Sequence, residues 1–345
     1  MNIKSIYNRI GFPRLIITAF LALLFITAYF LNIPISALWT DILVRFGMNA
    51  ILVLAMVPSI QCGIGLNFNL PLGVIFGLIG ALVSIELQLV GWPSFFVALA
   101  VAVPLATIAG YLYGLMLNRV KGQEMTVGNY VGFSVVSFMC IFWLLAPFKS
   151  PELVWALGGT GLRVTTSLES SMGGLLNNFW AFPIGKVIFP TGLILTFAVF
   201  AFIVWMFNKS KSGTAMRVAG SSEAFAISNG IDVDKQRIMG TVLSTVLGAV
   251  GIIVYSQAFG FLQLYNAPLY VAMPAVASIL IGGSSIKKAK IVHVVIGTFL
   301  FQSLLVIALP VINIISEGSM SEIIRIIISN GIILYALTRS GGETA

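Results

Sequence analysis

Residues 238–286 read IMGTVLSTVLGAVGIIVYSQAFGFLQLYNAPLYVAMPAVASILIGGSSI, 49 consecutive positions without Asp, Glu, Lys or Arg. An α-helix rises 1.5 Å per residue, and about 20 apolar residues cross the roughly 30 Å of bilayer hydrocarbon. This stretch therefore holds two crossings joined by the uncharged loop Ser256–Tyr270. Similar gaps lie upstream: 26 uncharged residues between Arg14 and Asp41, 40 between Arg45 and Glu86, and 32 between Glu86 and Arg119. Over all 345 residues, 59% are hydrophobic and 9% charged, with a mean hydropathy of +1.04. A water-soluble domain carries about 25% charged residues on its surface. The solvent of this chain is lipid.

Apolar runs read against turn and charge punctuation predict an all-α integral membrane protein with ten spans: 15–33, 43–60, 70–90, 94–118, 126–146, 187–207, 238–258, 269–285, 291–310 and 322–338. The chain reads as one transmembrane domain, 1–345, with an external loop at 147–186 and an internal loop at 209–237. The external loop is expected to form a short surface helix around Leu175-Leu176 and Phe179-Trp180. With both termini inside, 14 of the 19 Lys and Arg residues fall on the inner side, while the acidic residues divide almost evenly. Lysine and arginine concentrate on the cytoplasmic side of membrane proteins. The net charge of +8 thus records orientation and implies no nucleic-acid partner. The first apolar run is too long for a cleaved signal peptide and is read as an uncleaved span. Cys62 and Cys140 are read as small apolar side chains. Neither they nor His293 has the neighbours of a metal site.

The internal loop reads KSKSGTAMRVAGSSEAFAISNGIDVDKQR. Ser221 or Ser222 is available as an N-cap, Glu223 follows in the first turn, and Asn229-Gly230 supplies a left-handed terminator. About two turns of helix are expected over Ser222–Ser228, with Ala219, Gly220, Ala224 and Ala226 open for close docking of a partner. An ordinary solvated loop is an equally good reading of these residues alone.

The strings Gly213-Thr214-Ala215-Met216-Arg217-Val218-Ala219-Gly220, Glu223-Ala224 and Gly230-Ile231-Asp232-Val233 resemble the coupling loop of ribose- and nucleoside-type ABC importer permeases. Leu243-Ser244 to Gly251, Pro274-Ala275-Val276-Ala277, Ile281-Gly282-Gly283-Ser284 and Gly65-Leu66-Asn67-Phe68-Asn69 resemble further segments of that family, in the same order. Thr245 and Val246 depart from its glycine-containing pattern. The topology agrees over about 50–340, the specific motifs over 213–284. The resemblance implies a bacterial inner-membrane permease subunit, not an enzyme, that binds no cofactor. Its partners would be cytoplasmic ATPases that hydrolyse the ATP, a second permease copy or sister chain, and an extracytoplasmic solute-binding protein. It also implies that Met216, Arg217, Ala219, Gly220, Glu223, Ala224, Gly230 and Ile231 carry the ATPase coupling.

The cargo is read as a small polar solute, a simple sugar or a nucleoside. Polar side chains at membrane depth are costly and face the protein interior or a water-filled path. Asn67, Asn69, Gln257, Gln263, Asn266 and Gln302 are therefore candidates for the path, each with an interhelix hydrogen bond as its alternative. Helix breaks are expected at Pro71, at Pro268 and Pro274, and at Gly282-Gly283. Spans 2–5 and 7–10 would then form an inverted repeat around a midplane site. The rival reading, an ion-coupled secondary transporter, needs an ionisable couple inside the spans. Apart from the boundary residues Glu86, His293 and Arg325 the sequence offers none.

Overall fold

The computed structural model describes residues 12–155 and 161–315, with Ile327, Asn330, Gly331 and Leu334 beyond them. Apart from those last positions, the tenth expected span lies outside the described residues, as do Glu317, Glu322 and Arg325. Helices occupy the first nine expected positions. Six of them, Ile35–Gln61, Trp92–Arg119, Glu124–Leu145, Thr191–Lys209, Val233–Phe259 and Ile291–Ile314, are long and apolar enough to cross a membrane.

In chain order the helices are α1 Phe12–Phe30, α2 Ile35–Leu54, α3 Met56–Gln61, α4 Leu70–Glu86, α5 Trp92–Arg119, α6 Glu124–Leu145, α7 Leu175–Asn178, α8 Thr191–Lys209, α9 Lys211–Ser221, α10 Glu223–Ser228, α11 Val233–Phe259, α12 Ala272–Ile281 and α13 Ile291–Ile315. Four short strands also occur: β1 Thr165–Ser167, β2 Phe182–Ile184, β3 Val187–Phe189 and β4 Phe261–Gln263. The fold is thus mostly, not purely, helical. β1 pairs antiparallel with β4 and β2 with β3, which satisfies backbone groups where the long loops leave the helices.

Several boundaries differ from the expectation. The second span starts at Ile35, so Asp41 rides on α2 instead of a loop. The sixth begins at Thr191 because residues 187–189 are β3. The external loop's helix is only the four residues of α7, and Ser256–Phe259 belong to α11. The eighth is ten residues of α12 behind a 3₁₀ turn, Ala267–Tyr270. At 1.5 Å per residue α12 covers only about 15 Å, half of a bilayer core.

α11 is the central post, packed on α5, α4 and α2. Its approach to α4 is backbone on backbone. A Cβ added at Gly73 would stand 2.3 Å from the Thr245 carbonyl oxygen, and one at Gly77 2.4 Å from that of Ala249. Glycines spaced four apart put a flat strip on one helix face and let van der Waals packing replace the hydrophobic driving force that lipid cannot supply. The α2–α3 window is 78% buried, whereas that of α8 is 22% buried and shows Leu195, Val199 and Phe202 outward. α8 therefore turns an apolar face outward, away from the rest of the chain.

Candidate functional site: the basic end and an uncharged cavity

The Lys- and Arg-rich end is built around α9 and α10. Ser210 caps α9, its Oγ accepting from the Gly213 N–H at 3.1 Å. Met216 is fully buried with Cys62, Ile64, Leu72, Tyr113 and Leu117. Gly220 lies on the end of α3, and a Cβ there would stand 2.2 Å from the Gln61 carbonyl oxygen and 2.7 Å from the Gly63 nitrogen. Ala219 packs with Ala226 and Val233. Ala219 and Ala226 are thus buried among the chain's own helices, and the half-buried Gly220 lies against the end of α3 with no room for a side chain. Ala224 alone of the small set is exposed.

The chain breaks at Ser222, whose Oγ accepts from the Phe225 N–H at 3.3 Å and starts α10. Gly230, at φ +72°, ends it: its N–H donates to the Ile227 carbonyl at 3.0 Å and that of Ile231 to Ala226 at 2.9 Å, the paired bonds of a left-handed terminator. α10 turns Phe225 and Ile227 outward, 58% and 62% exposed. Arg217 is spent locally, donating to the Asn208 carbonyl at 3.1 Å.

An ionic clasp ties this region to the α5–α6 turn. Lys121 Nζ lies 2.8 Å from both Glu223 Oε1 and Asp234 Oδ1. Its hydrogen bonds to Asp234 and then Glu223 raise its pKa above the ordinary lysine value. Asn118 donates to the Asp234 carbonyl at 3.0 Å and accepts from Arg237 Nε at 3.0 Å. Arg237 pairs with Glu124, both largely buried. A buried charge is tolerated only when paired and hydrogen-bonded, and this pair meets that condition.

Two irregular segments interrupt the bundle. The first, 62–69, runs from the end of α3 to Asn67, whose amide donates to Ser244 Oγ at 2.8 Å. Ser244 is eleven residues into α11, about 16 Å from its start, so this peptide re-enters the membrane from the basic end. The second, 260–271, follows α11 at the opposite end and contains β4 and the 3₁₀ turn. Pro71 lies in the first turn of α4 and Pro274 in that of α12. Neither interrupts a helix, because first-turn N–H groups have no intrahelical partner to lose. Gly283, at φ +86°, closes α12 after Gly282.

Beside the second segment lies a cavity of about 190 Å³. Gln263, Gln302, Asn49, Ser256, Ser278, Tyr255 and Tyr270 supply its polar groups, the rest of the wall is apolar, and none of the described residues lining it is charged. Of the sequence candidates, Gln263 and Gln302 meet here, with Pro268 and Pro274 in the same wall. The others do not line it. Asn67 is held by Ser244 and accepts from the Asn69 N–H at 3.0 Å. Asn69 is buried beside the Tyr113 hydroxyl. Gln257 accepts from the Leu176 N–H at 3.0 Å and donates to the Val254 carbonyl. Asn266 is exposed ahead of the 3₁₀ turn. Asn49, within an uncharged run, carried the same signal as the amides that were singled out and was missed. Ser256 and Ser278 carried none, since a helical serine ordinarily bonds its own helix, as Ser278 does to the Pro274 carbonyl.

Apolar spans, an uncharged cavity bordered by the second irregular segment, and a helix pair projecting at the basic end are the parts of a membrane transport permease. The family is shown by sequence: residues 38–336 match the branched-chain amino acid transport system / permease component family, and the chain belongs to it. It is also 23% identical over 255 residues to the autoinducer 2 import system permease protein LsrC of Enterobacter sp. (strain 638), covering 74% of this chain and 66% of that protein. The match spans just under two thirds of that relative's length. Both comparisons bear out the resemblance to sugar-type ABC importer permeases, which are transport components and not enzymes.

Proposed function

We propose that this chain is the membrane subunit of an ATP-driven importer for a small neutral solute of about one ring, energised by separate ATPase subunits that grip α10 on the cytoplasmic side. The observation that carries it is the pairing of two sites. One is a short capped helix that projects Phe225 and Ile227 from the basic end. The other is a mostly apolar cavity whose wall carries a few amides and hydroxyls. Exposed aromatic and aliphatic side chains on a rigid helix are anchors for a partner's groove, and the Lys- and Arg-rich side is the cytoplasmic one.

The cavity argues for the cargo. A cavity of about 150 Å³ holds benzene, so about 190 Å³ takes a single polyhydroxylated ring more readily than a base joined to a sugar. The zwitterion of an amino acid would enter without a counter-charge, which is costly away from water. A neutral sugar fits better than the amino acids of the family's description or the nucleosides that the sequence leaves open. The relative's autoinducer 2 supports import as the direction. The two re-entrant segments, approaching from opposite ends, support the inverted-repeat plan in which one face opens as the other closes. The ion-coupled alternative is disfavoured because among the described residues the buried charged pair Arg237–Glu124 sits at the basic end, remote from the cavity wall.

The test is uptake by the assembled transporter. Phe225→Ala with Ile227→Ala should leave the amount of inserted protein unchanged and abolish nucleotide-driven uptake of labelled pentoses. Wild-type uptake from that double variant, or uptake driven by an ion gradient with the ATPase absent, would remove the reading.

A further inference from the structure

Beside the 3₁₀ turn lies a second space of about 220 Å³, between Phe68 of the first re-entrant segment, Pro71 of α4, Asn129 and Phe133 of α6, and Met273 of α12. Tyr270 lies in the wall of both spaces and is 74% exposed. It ends the turn Ala267–Tyr270, which packs on α4, α6 and α12.

The backbone around Tyr270 is held firmly at both ends and lightly between them. Upstream, β4 is paired to β1, the Leu264 N–H donates to Val164 at 3.0 Å, and the Tyr265 hydroxyl donates to the Leu162 carbonyl at 2.8 Å. Downstream, α12 lies against α13 with no room for a side chain, a Cβ at Gly297 falling 1.8 Å from the Ser278 oxygen. Between these anchors the turn is closed by Leu269 N–H to Asn266 at 3.1 Å and Val271 N–H to Pro268 at 3.4 Å. A 3₁₀ turn has poorer hydrogen-bond geometry than an α-helix, and Pro268 contributes no donor. Tyr265, at the head of this stretch, sits at φ +52°, a left-handed conformation that costs a non-glycine residue about 1 kcal/mol or more. A strained residue next to a weakly bonded turn is where a hinge costs least.

We propose that Tyr270 is a gate between the cavity and the α6-side space, swinging on the 265–271 turn, and that a solute passes from one space to the other when it moves. Tyr270 is in this sense a positioning residue for transport. The proposal rests on the cavity lying on the solute path, and the test separates the two. The full chain is reconstituted in lipid vesicles with its ATPase, and vesicle swelling in D-ribose is followed without nucleotide. Wild type and Tyr270→Phe should stay tight. Tyr270→Ala should admit ribose at least about tenfold faster, the equivalent of lowering a barrier by about 1.4 kcal/mol, while retaining trapped carboxyfluorescein. Tyr270→Trp should stay tight and slow nucleotide-driven uptake. A tight Tyr270→Ala, a Tyr270→Ala that also loses the dye, or an unchanged uptake rate in Tyr270→Trp overturns the gate. Gln302→Leu, read by nucleotide-driven uptake, tests the path itself. If it transports normally the cavity reading fails, whereas its loss beside a tight Tyr270→Ala removes only the gate.

Discussion

The two re-entrant segments do opposite things with the same problem, a peptide without helical hydrogen bonds at membrane depth. The first, 62–69, is largely buried and cross-bonded. Ser59 Oγ donates to the Gly65 carbonyl at 2.8 Å, Asn67 reaches Ser244, and the preceding Gln61 reaches the Ala289 carbonyl at 2.9 Å. The second, 260–271, alternates buried and exposed residues, borders a cavity, and is tied to the rest mainly at its ends. Every unpaired backbone group in lipid costs several kcal/mol. The first segment avoids that cost with side-chain partners and becomes a fixed pivot. The second has few such partners and borders a cavity instead, which leaves it able to move. Since α9 lies on the first segment through Gly220, a push from the basic end meets a stiff element first.

That contrast can be broken most severely at the pivot. Gly220→Val would force a branched side chain into a space where even a Cβ meets the Gln61 oxygen at 2.2 Å. Overpacking on rigid backbone should cost about 3 kcal/mol, seen as a clear drop in thermal midpoint and loss of uptake. Asn67→Leu comes next. It leaves the Asn69 N–H and the Ser244 hydroxyl without their shared partner, for about 1–2 kcal/mol, again measured as thermal stability. At the mobile segment the effect should change in kind. Gln263→Leu should leave stability within about 0.5 kcal/mol yet raise the solute concentration needed for half-maximal uptake about fivefold, the worth of one lost hydrogen bond. A large stability loss there would show that the second segment is as fixed as the first.

Much of this was legible in the sequence, because span positions depend on composition over about 20 residues and on where charges are absent. The end of α10 was legible too, since Ser222 and Gly230 act on neighbours three to four residues away. What failed was anything that needs a distant partner. α9, Lys211–Ser221, contains two glycines and reads as loop, and it becomes helical where Met216 enters a pocket made by the 62–69 segment, α4 and α5. Ala219 and Gly220 read as open docking surface because their true neighbours, Val233 and Gln61, are placed only by the fold. Asn67 and Gln302 look alike in sequence. Ser244, 177 residues from Asn67, is what makes one a strut and leaves the other in a cavity wall.

The smallest effect is expected at the clasp, which binds α10 to the pivot side of the molecule from the surface. Lys121 is 38% exposed in its side chain, Glu223 48% and Asp234 57%, so water and salt screen the pairs. Lys121→Met should cost about 0.5 kcal/mol or less, and less still at high salt. Its pH dependence has a definite sign. The Lys121 pKa is raised in the fold above its ordinary 10.5, so its contribution is complete below that value and disappears as pH rises through the higher folded one. On the alkaline side, the stability gap between wild type and Lys121→Met should therefore stay flat through neutral pH and close in strong alkali. A gap that closed near neutral pH would mean that a group other than the Lys121 ammonium holds α10 to the α5–α6 turn.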